Sequence, residues 1–361
     1  MWQKTRFTEA VGIQHPIVQG PFGGGFSSTD LVAAVSNAGG LGSFGAHNLR
    51  RDEILRVTEE IRQKTDKPFA INLWVSVVDE GGEGLDEAGY RQAVEFFQPY
   101  YDELGMQAPG MPHDHVEHYE EQVEALIEAG PDVFSFVFGI PSADVLSRCR
   151  AAGIKTLGAA TTVAEAKALE AAGVDIVLAT GFEAGGHRPS FLKSAETSLV
   201  GTLPLVPQVR DAVSVPVVAA GGIADARGVA AALTLGADAV QLGTAFLACA
   251  ESNTTDQHRD LIFGSAADDT VLSRAYTGRL ARFLPNRFVA NVEGAKAFLP
   301  FPVQAWFTTP LKKTALAQGK PELASFYAGQ GAPLLEHRRA ADVMAALVGG
   351  IDQIFTRTTT N

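Results

Sequence analysis

Short apolar runs alternate with helix-patterned stretches along most of this chain. Eight of the runs read as strands, over residues 17–19, 41–44, 69–75, 133–138, 156–159, 175–179, 215–220 and 239–242. Most are apolar throughout, as strands buried on both faces are. Between them, 28–38, 52–65, 164–172 and 224–235 carry helical periodicity. This alternation predicts parallel βαβ units. Eight such units favour closure into a (β/α)8 TIM barrel, with a doubly wound open sheet as the alternative. An internal echo supports the repeat. Ala172-Gly173-Val174-Asp175-Ile176-Val177 resembles Leu235-Gly236-Ala237-Asp238-Ala239-Val240, each a helix ended by glycine and followed by an apolar strand.

Two segments fall outside the pattern. Residues 77–120, after the third strand, are too long for a simple connection and carry Gly, Asp, Pro and His throughout, which predicts an insertion capping one face. The barrel is then expected over 13–250, with 251–361 as a helical extension or small subdomain packed on it. Helix-like stretches in that tail run over 310–318 and 340–347, and 356–361 reads as frayed.

Composition narrows the function. The chain has 361 residues, 46% hydrophobic, with net charge −12 and no basic run. A barrel takes roughly 250 residues, which leaves room for both appendages. The acidic balance argues against nucleic acid, whose binding needs a basic stripe. The chain lacks a signal-peptide core and an apolar stretch of membrane-spanning length. Two cysteines, Cys149 and Cys249, suit a reducing compartment. A cytoplasmic protein with a small-molecule substrate is expected, with a homodimer as its assembly.

In a barrel, chemistry collects at the C-terminal ends of the strands. The sixth strand is followed by Thr180-Gly181-Phe182-Glu183-Ala184-Gly185-Gly186-His187-Arg188, the seventh by Gly221-Gly222-Ile223-Ala224-Asp225, and the eighth ends in Gln241-Leu242-Gly243-Thr244. Glycine lets backbone N–H groups approach a phosphate, and a helix N-terminus adds a favourable dipole. Gly222 and Gly243 could merely make tight turns, but two adjacent glycine loops where this fold habitually grips phosphate favour binding. His187 lies at the rim after two glycines, placed to abstract a carbon-bound proton or to steer an anionic substrate. A solvated loop histidine is the bland alternative, and the phosphate loops together with Arg188 tilt the reading towards function.

Other constellations carry less. His113-Asp114-His115-Val116-Glu117-His118 reads as a solvated helix start, and no metal site is expected. Lys155 opens the fifth strand and so faces the bottom of the barrel, away from any Schiff-base chemistry. Neither cysteine falls at the C-terminal end of a strand, which argues against a thiol nucleophile. Trp74 could line a pocket or pack in the core.

At these residues the chain resembles the nitronate monooxygenases, formerly 2-nitropropane dioxygenases. The likeness lies in His15-Pro16-Ile17-Val18-Gln19-Gly20-Pro21, in Ala34 to Gly42, in Pro68 to Leu73, in Glu183 to Arg188, in Val217 to Gly228 and in Val240 to Ala248. It continues in the tail with Thr277-Gly278-Arg279, Asn286-Arg287-Phe288 and Ala328-Gly329-Gln330-Gly331. The resemblance implies a barrel holding FMN non-covalently. It assigns flavin contacts to Gln19, Gly20, Pro21 and Asn72 near the ring, and to Gly185, Gly222 and Gln241 to Thr244, the last set at the phosphate. Thr180, Gly186 and Gly221 join them by position. The resemblance makes His187 the catalytic histidine, a base when the neutral nitroalkane is substrate. The implied reaction consumes O2 and turns an alkyl nitronate such as propionate 3-nitronate into a carbonyl compound and nitrite. Thr180 stands where many members carry Gln, and Gly20 with Phe22 replaces the commoner Ala and Met, so the pocket and substrate can differ.

The chain is also similar to FMN-dependent enoyl-acyl-carrier-protein reductases and NADH:quinone reductases, through the Ala-Gly-Gly-His and Ala-Ala-Gly-Gly-Ile stretches. These take hydride from NAD(P)H. The tail segments favour the nitronate group. A non-flavin barrel acting on a phosphorylated small molecule lacks its strand-end Lys and paired carboxylates here. A flavin-binding protein without turnover is the remaining alternative.

Overall fold

A computed structural model describes residues 2–76, 78–111 and 118–359. Eight parallel strands form its central sheet: β1 (Ile17–Gln19), β2 (Gly42–Gly45), β3 (Phe69–Trp74), β4 (Val133–Val137), β5 (Lys155–Ala160), β6 (Ile176–Thr180), β8 (Val217–Ala220) and β9 (Ala239–Leu242). The intervening β7 (Gly186–His187) lies outside this sheet. The order β1-β9-β8-β6-β5-β4-β3-β2 brings β1 round to β2, joined by a bridge from Val18 to Leu41. Eight parallel strands with helices between them make a (β/α)8 barrel, as the hydrophobic pattern predicts.

Closure depends on an unexpected residue. Gln19 N–H donates to Leu41 O, and the next rung of the β1–β2 ladder is made by the Gln19 side chain. Its Nε2 donates to Ser43 O at 2.9 Å and to Gly20 O, while Oε1 accepts from Ser43 N at 2.9 Å. The amide thus replaces a stretch of main-chain pairing where the two strands diverge.

The helices α2 (Thr29–Asn37), α3 (Arg51–Lys64), α5 (Tyr119–Ala129), α6 (Ala143–Ala151), α7 (Val163–Ala171), α8 (Thr202–Ala212) and α9 (Ala226–Thr234) wrap the strands. The single turn α10 (Thr244–Leu247) follows β9. Strand alternation sorts the core into two layers. Phe69, Ile71, Leu73, Phe134, Phe136, Val177 and Val217 pack outward against helices. Val18, Leu41, Ala70, Leu157, Leu178, Val218 and Ala239 fill the interior. The floor is plugged by α1 (Arg6–Val11), whose Phe7 and Val11 join that interior cluster. Arg6 anchors α1 through Nε and Nη2 to Asp238, at 2.8 and 2.6 Å.

The insertion contains a helix that the sequence pattern did not suggest, α4 (Glu87–Glu103). Its Ala93, Phe97, Tyr100 and Tyr101 pack with Tyr276, Phe288 and Phe307 of the tail. The tail supplies α11 (Asp256–Phe263), β10 (Val271–Ser273), β11 (Ala281–Phe283), α12 (Arg287–Ala295), α13 (Val303–Ala317) and α14 (Ala340–Thr359). The stretch read as helical over 310–318 is the second half of α13, whose Pro310 sits inside the helix. Of the stretch 356–361 read as frayed, 356–359 are helical instead, and 360–361 lie outside the described residues. The last helix continues to Thr359, with Thr356 Oγ1 donating to Asp352 O. It packs on α2 and α9 through Val343, Met344, Leu347 and Ile351. No helix among the described residues is long and apolar enough to cross a membrane.

Candidate active site

At the C-terminal mouth of the barrel the interior changes from apolar to polar. The alternation that turns Leu41, Ala70, Leu178 and Ala239 inward does the same for Ser43, Asn72, Thr180 and Gln241. Asn72 donates to Ser135 Oγ at 3.0 Å. The buried Ser43 hydroxyl has no partner among the described residues. A Cβ on Gly20 would lie 3.6 Å from the Gln241 amide and 3.4 Å from the Gly243 Cα, so β1 and β9 approach closely there.

On one side of this mouth the wall is main chain. Gly221 and Gly222 follow β8 with φ of +110° and +69°, the left-handed half of the map that glycine tolerates. A Cβ on Gly221 would fall 2.7 Å from Thr202 Oγ1. A Cβ on Gly243 meets nothing within 4 Å, so space opens in front of it. The N–H groups of Gly222 and Gly243 find no acceptor among the described residues. One expectation is refined here. The start of α9 is already capped, with Asp225 accepting from the N–H groups of Arg227 and Gly228, so its helix N-terminus is spent on its own side chain. The α10 turn begins at Gly243 with no side-chain cap.

The tail buttresses this wall. Gly329 N–H donates to Thr244 Oγ1 at 2.9 Å, and Gln330 N–H to Glu183 O at 3.0 Å. A Cβ on Gly185 would lie 2.6 Å from Gly329 N, and one on Gly331 2.7 Å from Gly222 O. The 328–331 segment therefore binds the three glycine loops into one rim.

The opposite side is built from side chains. Gly186 and His187 form β7, paired antiparallel with β11 so that His187 faces Ala281 in register. His187 Nε2 lies 2.9 Å from Thr277 Oγ1. Its ring meets Trp74 edge-on at 5.1 Å, with Phe138 at 6.4 Å and Tyr327 at 5.8 Å. Trp74, the last residue of β3, stacks flat on His47 at 4.0 Å. Trp74 therefore lines the mouth. Burial, reinforced by the Arg279 cation, pushes the His187 pKa down to about 3 and that of His47 to about 3. Both rings are neutral at physiological pH.

Arg188 is corrected. In an extended strand neighbouring side chains take opposite faces, and Arg188 turns away from His187 into the protein. It is 1% exposed and donates to the carbonyls of Thr180, Gly181 and Ser198. It is a structural tie under the loop after β6. The Gln19 amide, expected at the flavin ring, lies at the β1–β2 seam, where Nε2 donates to Ser43 O and to the neighbouring Gly20 O.

The remaining candidates lie elsewhere. Lys155 opens β5 at the floor. Cys149 is buried in α6. Cys249 packs outside the barrel among Phe246, Met344 and Leu347, its thiol pushed by burial up to about 12. Of the run from His113 to His118, residues 112–117 lie outside the described residues. His118 precedes α5, 3.8 Å from Glu121. No group of three or more His, Cys, Asp or Glu side chains suited to a metal occurs among the described residues. Ser43, His47, Phe138, Thr277, Arg279 and Phe301 were not candidates from sequence. Only the Thr277-Gly278-Arg279 likeness hinted at two of them.

Comparison with known proteins gives the family. A family model described as nitronate monooxygenase matches residues 4–350. A probable nitronate monooxygenase of Staphylococcus aureus (strain Newman) is 38% identical over 356 residues, covering 98% of this chain and 99% of its own. The solved nitroalkane oxidase from Streptomyces ansochromogenes superposes with a TM-score of 0.89 at 35% identity, over 99% of this chain and 100% of that one. FabK from Thermotoga maritima superposes with a TM-score of 0.75 at 29% identity, over 99% of each. The chain belongs to the nitronate monooxygenase family and is an oxidoreductase.

Proposed function

We propose that the chain holds FMN in the barrel mouth and oxidises alkyl nitronates, such as propionate 3-nitronate, with O2 to a carbonyl compound and nitrite. The residues present fit that cofactor. Gly221, Gly222, Gly243 and Thr244 would hold the phosphate, where free N–H groups face open space. Gln241 would join them there, and Gly20, Pro21, Asn72, Thr180, Gly185 and Gly186 would hold the ring, with Gln19 acting through the seam it closes. The buried Ser43 hydroxyl is a polar atom that only a ligand or water completes. When bound, the flavin supplies the redox chemistry that no side chain here offers.

The observation that carries this reading is a neutral histidine fixed by a hydroxyl opposite a backbone cradle. The Thr277 hydroxyl also donates to Arg279 O at 3.3 Å. On this reading the hydroxyl proton goes to Arg279 O, so that Oγ1 accepts from His187 Nε2–H and Nδ1, which has no partner among the described residues, keeps its lone pair as the base. A neutral imidazole admits an anionic nitronate and can accept the α-proton of a neutral nitroalkane at Nδ1. A low pKa makes it the weaker base for the second task, so the nitronate is the better substrate. The aromatic rings around it keep water away from the reacting carbon.

The test is anaerobic mixing of the flavin-loaded protein with propionate 3-nitronate, and separately with NADH and NADPH, following flavin absorbance. Bleaching by the nitronate alone, with nitrite formed once air enters, is expected. Bleaching by a nicotinamide alone overturns this reading and places the chain with NAD(P)H-linked reductases.

A further inference from the structure

Arg279 is a buried cation that the reading above leaves without a task. It is 4% exposed. Its Nε and Nη2 both donate to Asp79 Oδ1, at 2.9 and 2.7 Å, and Nη2 also donates to Ser76 O. Asp79 thus takes one edge of the guanidinium. Nη1, at the vertex away from that edge, has no partner among the described residues. The guanidinium carbon sits 4.0 Å from the ring centroid of Phe138 and 4.2 Å from that of Phe301, with Trp74 at 5.2 Å. Phe138 holds its place with a φ of +63°, a strained conformation for a residue with a side chain. Three aromatic rings, one of them carried by a strained residue, therefore hold one donor corner of an arginine in place, and one of the three, Trp74, also touches His187.

A buried N–H without an acceptor is costly, the more so on a charged group. Flat arginine is also the side chain best suited to planar oxyanions. The two neighbouring structural arginines differ in which donor is left over. Arg188 has both terminal Nη groups engaged by carbonyls and only its inner Nε unpartnered among the described residues, and Arg282 donates to Phe182 O and Thr270 Oγ1, whereas Arg279 leaves a terminal Nη free beside the rings that touch His187.

We propose that Arg279 Nη1 is a substrate-binding donor that recognises a planar oxyanion, and that it sets the preference of this site for anionic substrates over neutral ones. The oxyanion is either the nitronate group itself or a carboxylate at the far end of the substrate. This rests on the nitronate reading only for the identity of the substrate, because an anion site can be read without turnover. Asp79 fixes the guanidinium and tempers its charge, so it opposes anion binding while orienting the donor.

The experiment uses the flavin-loaded protein with Arg279→Gln, Arg279→Lys and Asp79→Asn. Kinetics compare ethyl nitronate, propionate 3-nitronate and nitroethane, and calorimetry measures binding of nitrate and of propionate. For Arg279→Gln the expected result is a rise in KM of about 10- to 100-fold for an anionic substrate, with nitroethane changed less than about threefold. Arg279→Lys should fall between, and Asp79→Asn should tighten nitrate several-fold by removing the counter-charge. A rise for ethyl nitronate assigns the donor to the nitronate group, and a rise confined to propionate 3-nitronate assigns it to the carboxylate. KM and nitrate affinity within twofold of wild type in Arg279→Gln overturn the proposal. Equal losses of nitrate binding in Arg279→Gln and Asp79→Asn also overturn it, because the pair would then be a structural latch. Should no nitronate be oxidised, nitrate binding in wild type and its loss in Arg279→Gln still decide the anion site. Should Arg279→Gln not fold, Arg279→Lys and Asp79→Asn give the decision through their opposite expected shifts in nitrate affinity.

Discussion

The two sides of the barrel mouth are made of different materials. Around Gly221, Gly222 and Gly243 the wall is backbone, shaped by glycine and buttressed by the 328–331 segment. Around His187 it is side chain: Trp74 from a barrel strand, Phe138 from the loop after β4, and Thr277 and Tyr327 from the tail. A backbone wall offers N–H donors at fixed spacing and suits a group that recurs unchanged, such as a phosphate. A side-chain wall can be altered one residue at a time and suits the part of the site that meets the substrate. The proposed function then divides the labour, with retention of the cofactor expected on one side and turnover on the other, and each substitution below should disturb one side alone.

The largest effect belongs to His187→Asn. Loss of a positioned base costs about 10²- to 10⁴-fold in kcat/KM, and that loss should be seen with neutral nitroalkanes. Nitronates, already deprotonated, should suffer less, and flavin content should stay at the wild-type level. Turnover of nitroethane at the wild-type rate would remove His187 as base, and loss of flavin would dissolve the division between the two sides. The converse is Gly222→Leu. A side chain at φ +69° costs about 1–2 kcal/mol and intrudes where Glu183 Cβ stands 3.3 Å from a Cβ. Flavin retained through purification should fall about tenfold or more, since 1.4 kcal/mol is a factor of about ten. Unchanged yellow colour would place the phosphate elsewhere.

The two walls also differ in how they answer acid. His187 and His47 are held neutral with pKa values of about 3, and buried His258 with about 4, while in the unfolded chain a histidine titrates near about 6.5. Below that unfolded value the unfolded state binds more protons than the native one, so these groups destabilise the fold as pH falls. Stability is fully present above about pH 6.5 and declines towards the folded values. The effect is on the order of 2 kcal/mol per histidine by pH 5. Thermal unfolding followed at pH 7 and pH 5 should show this drop, and His47→Asn should flatten it. A melting temperature independent of pH over that range would mean that the rings are charged or solvated.

The backbone wall was the legible one. Strands appear as apolar runs because both their faces are buried, and all eight observed barrel strands lie where those runs predict, their ends shifting by a residue or two, as β8 does by starting at Val217. Glycine pairs after successive strands are local features, so they too can be read from order alone. The side-chain wall draws on residues from 47 to 327, and nothing local says that they meet. The pairing of β7 spans two residues, too short for any periodicity, yet it decides that His187 faces the mouth and Arg188 the interior. Proximity in sequence pointed to Arg188, which turns inward, while Arg279 is brought beside Trp74 and Phe138 through the fold of the tail. In the insertion, α4 was hidden by Gly89 and Pro99 and by an apolar face whose partners, Phe288 and Phe307, lie far along the chain.

The smallest effect is the most discriminating for the side-chain wall. Thr277 is a positioning residue: its hydroxyl meets His187 Nε2 at 2.9 Å and ties the ring to the Arg279 backbone. A single neutral hydrogen bond contributes about 0.5–1.5 kcal/mol, so Thr277→Val should lower kcat for nitroethane by about two- to tenfold. Flavin content and nitronate KM should not move, and Thr277→Ser should restore the rate, since it returns the hydroxyl without the methyl. Were packing alone responsible, Thr277→Val would be neutral, because Trp74 and Phe138 would still hold the ring, and Thr277→Ser would be the worse variant for the space it leaves. Rescue by serine therefore separates a hydrogen bond that sets the imidazole tautomer, leaving Nδ1 as the base, from a cluster of rings that merely fills the mouth.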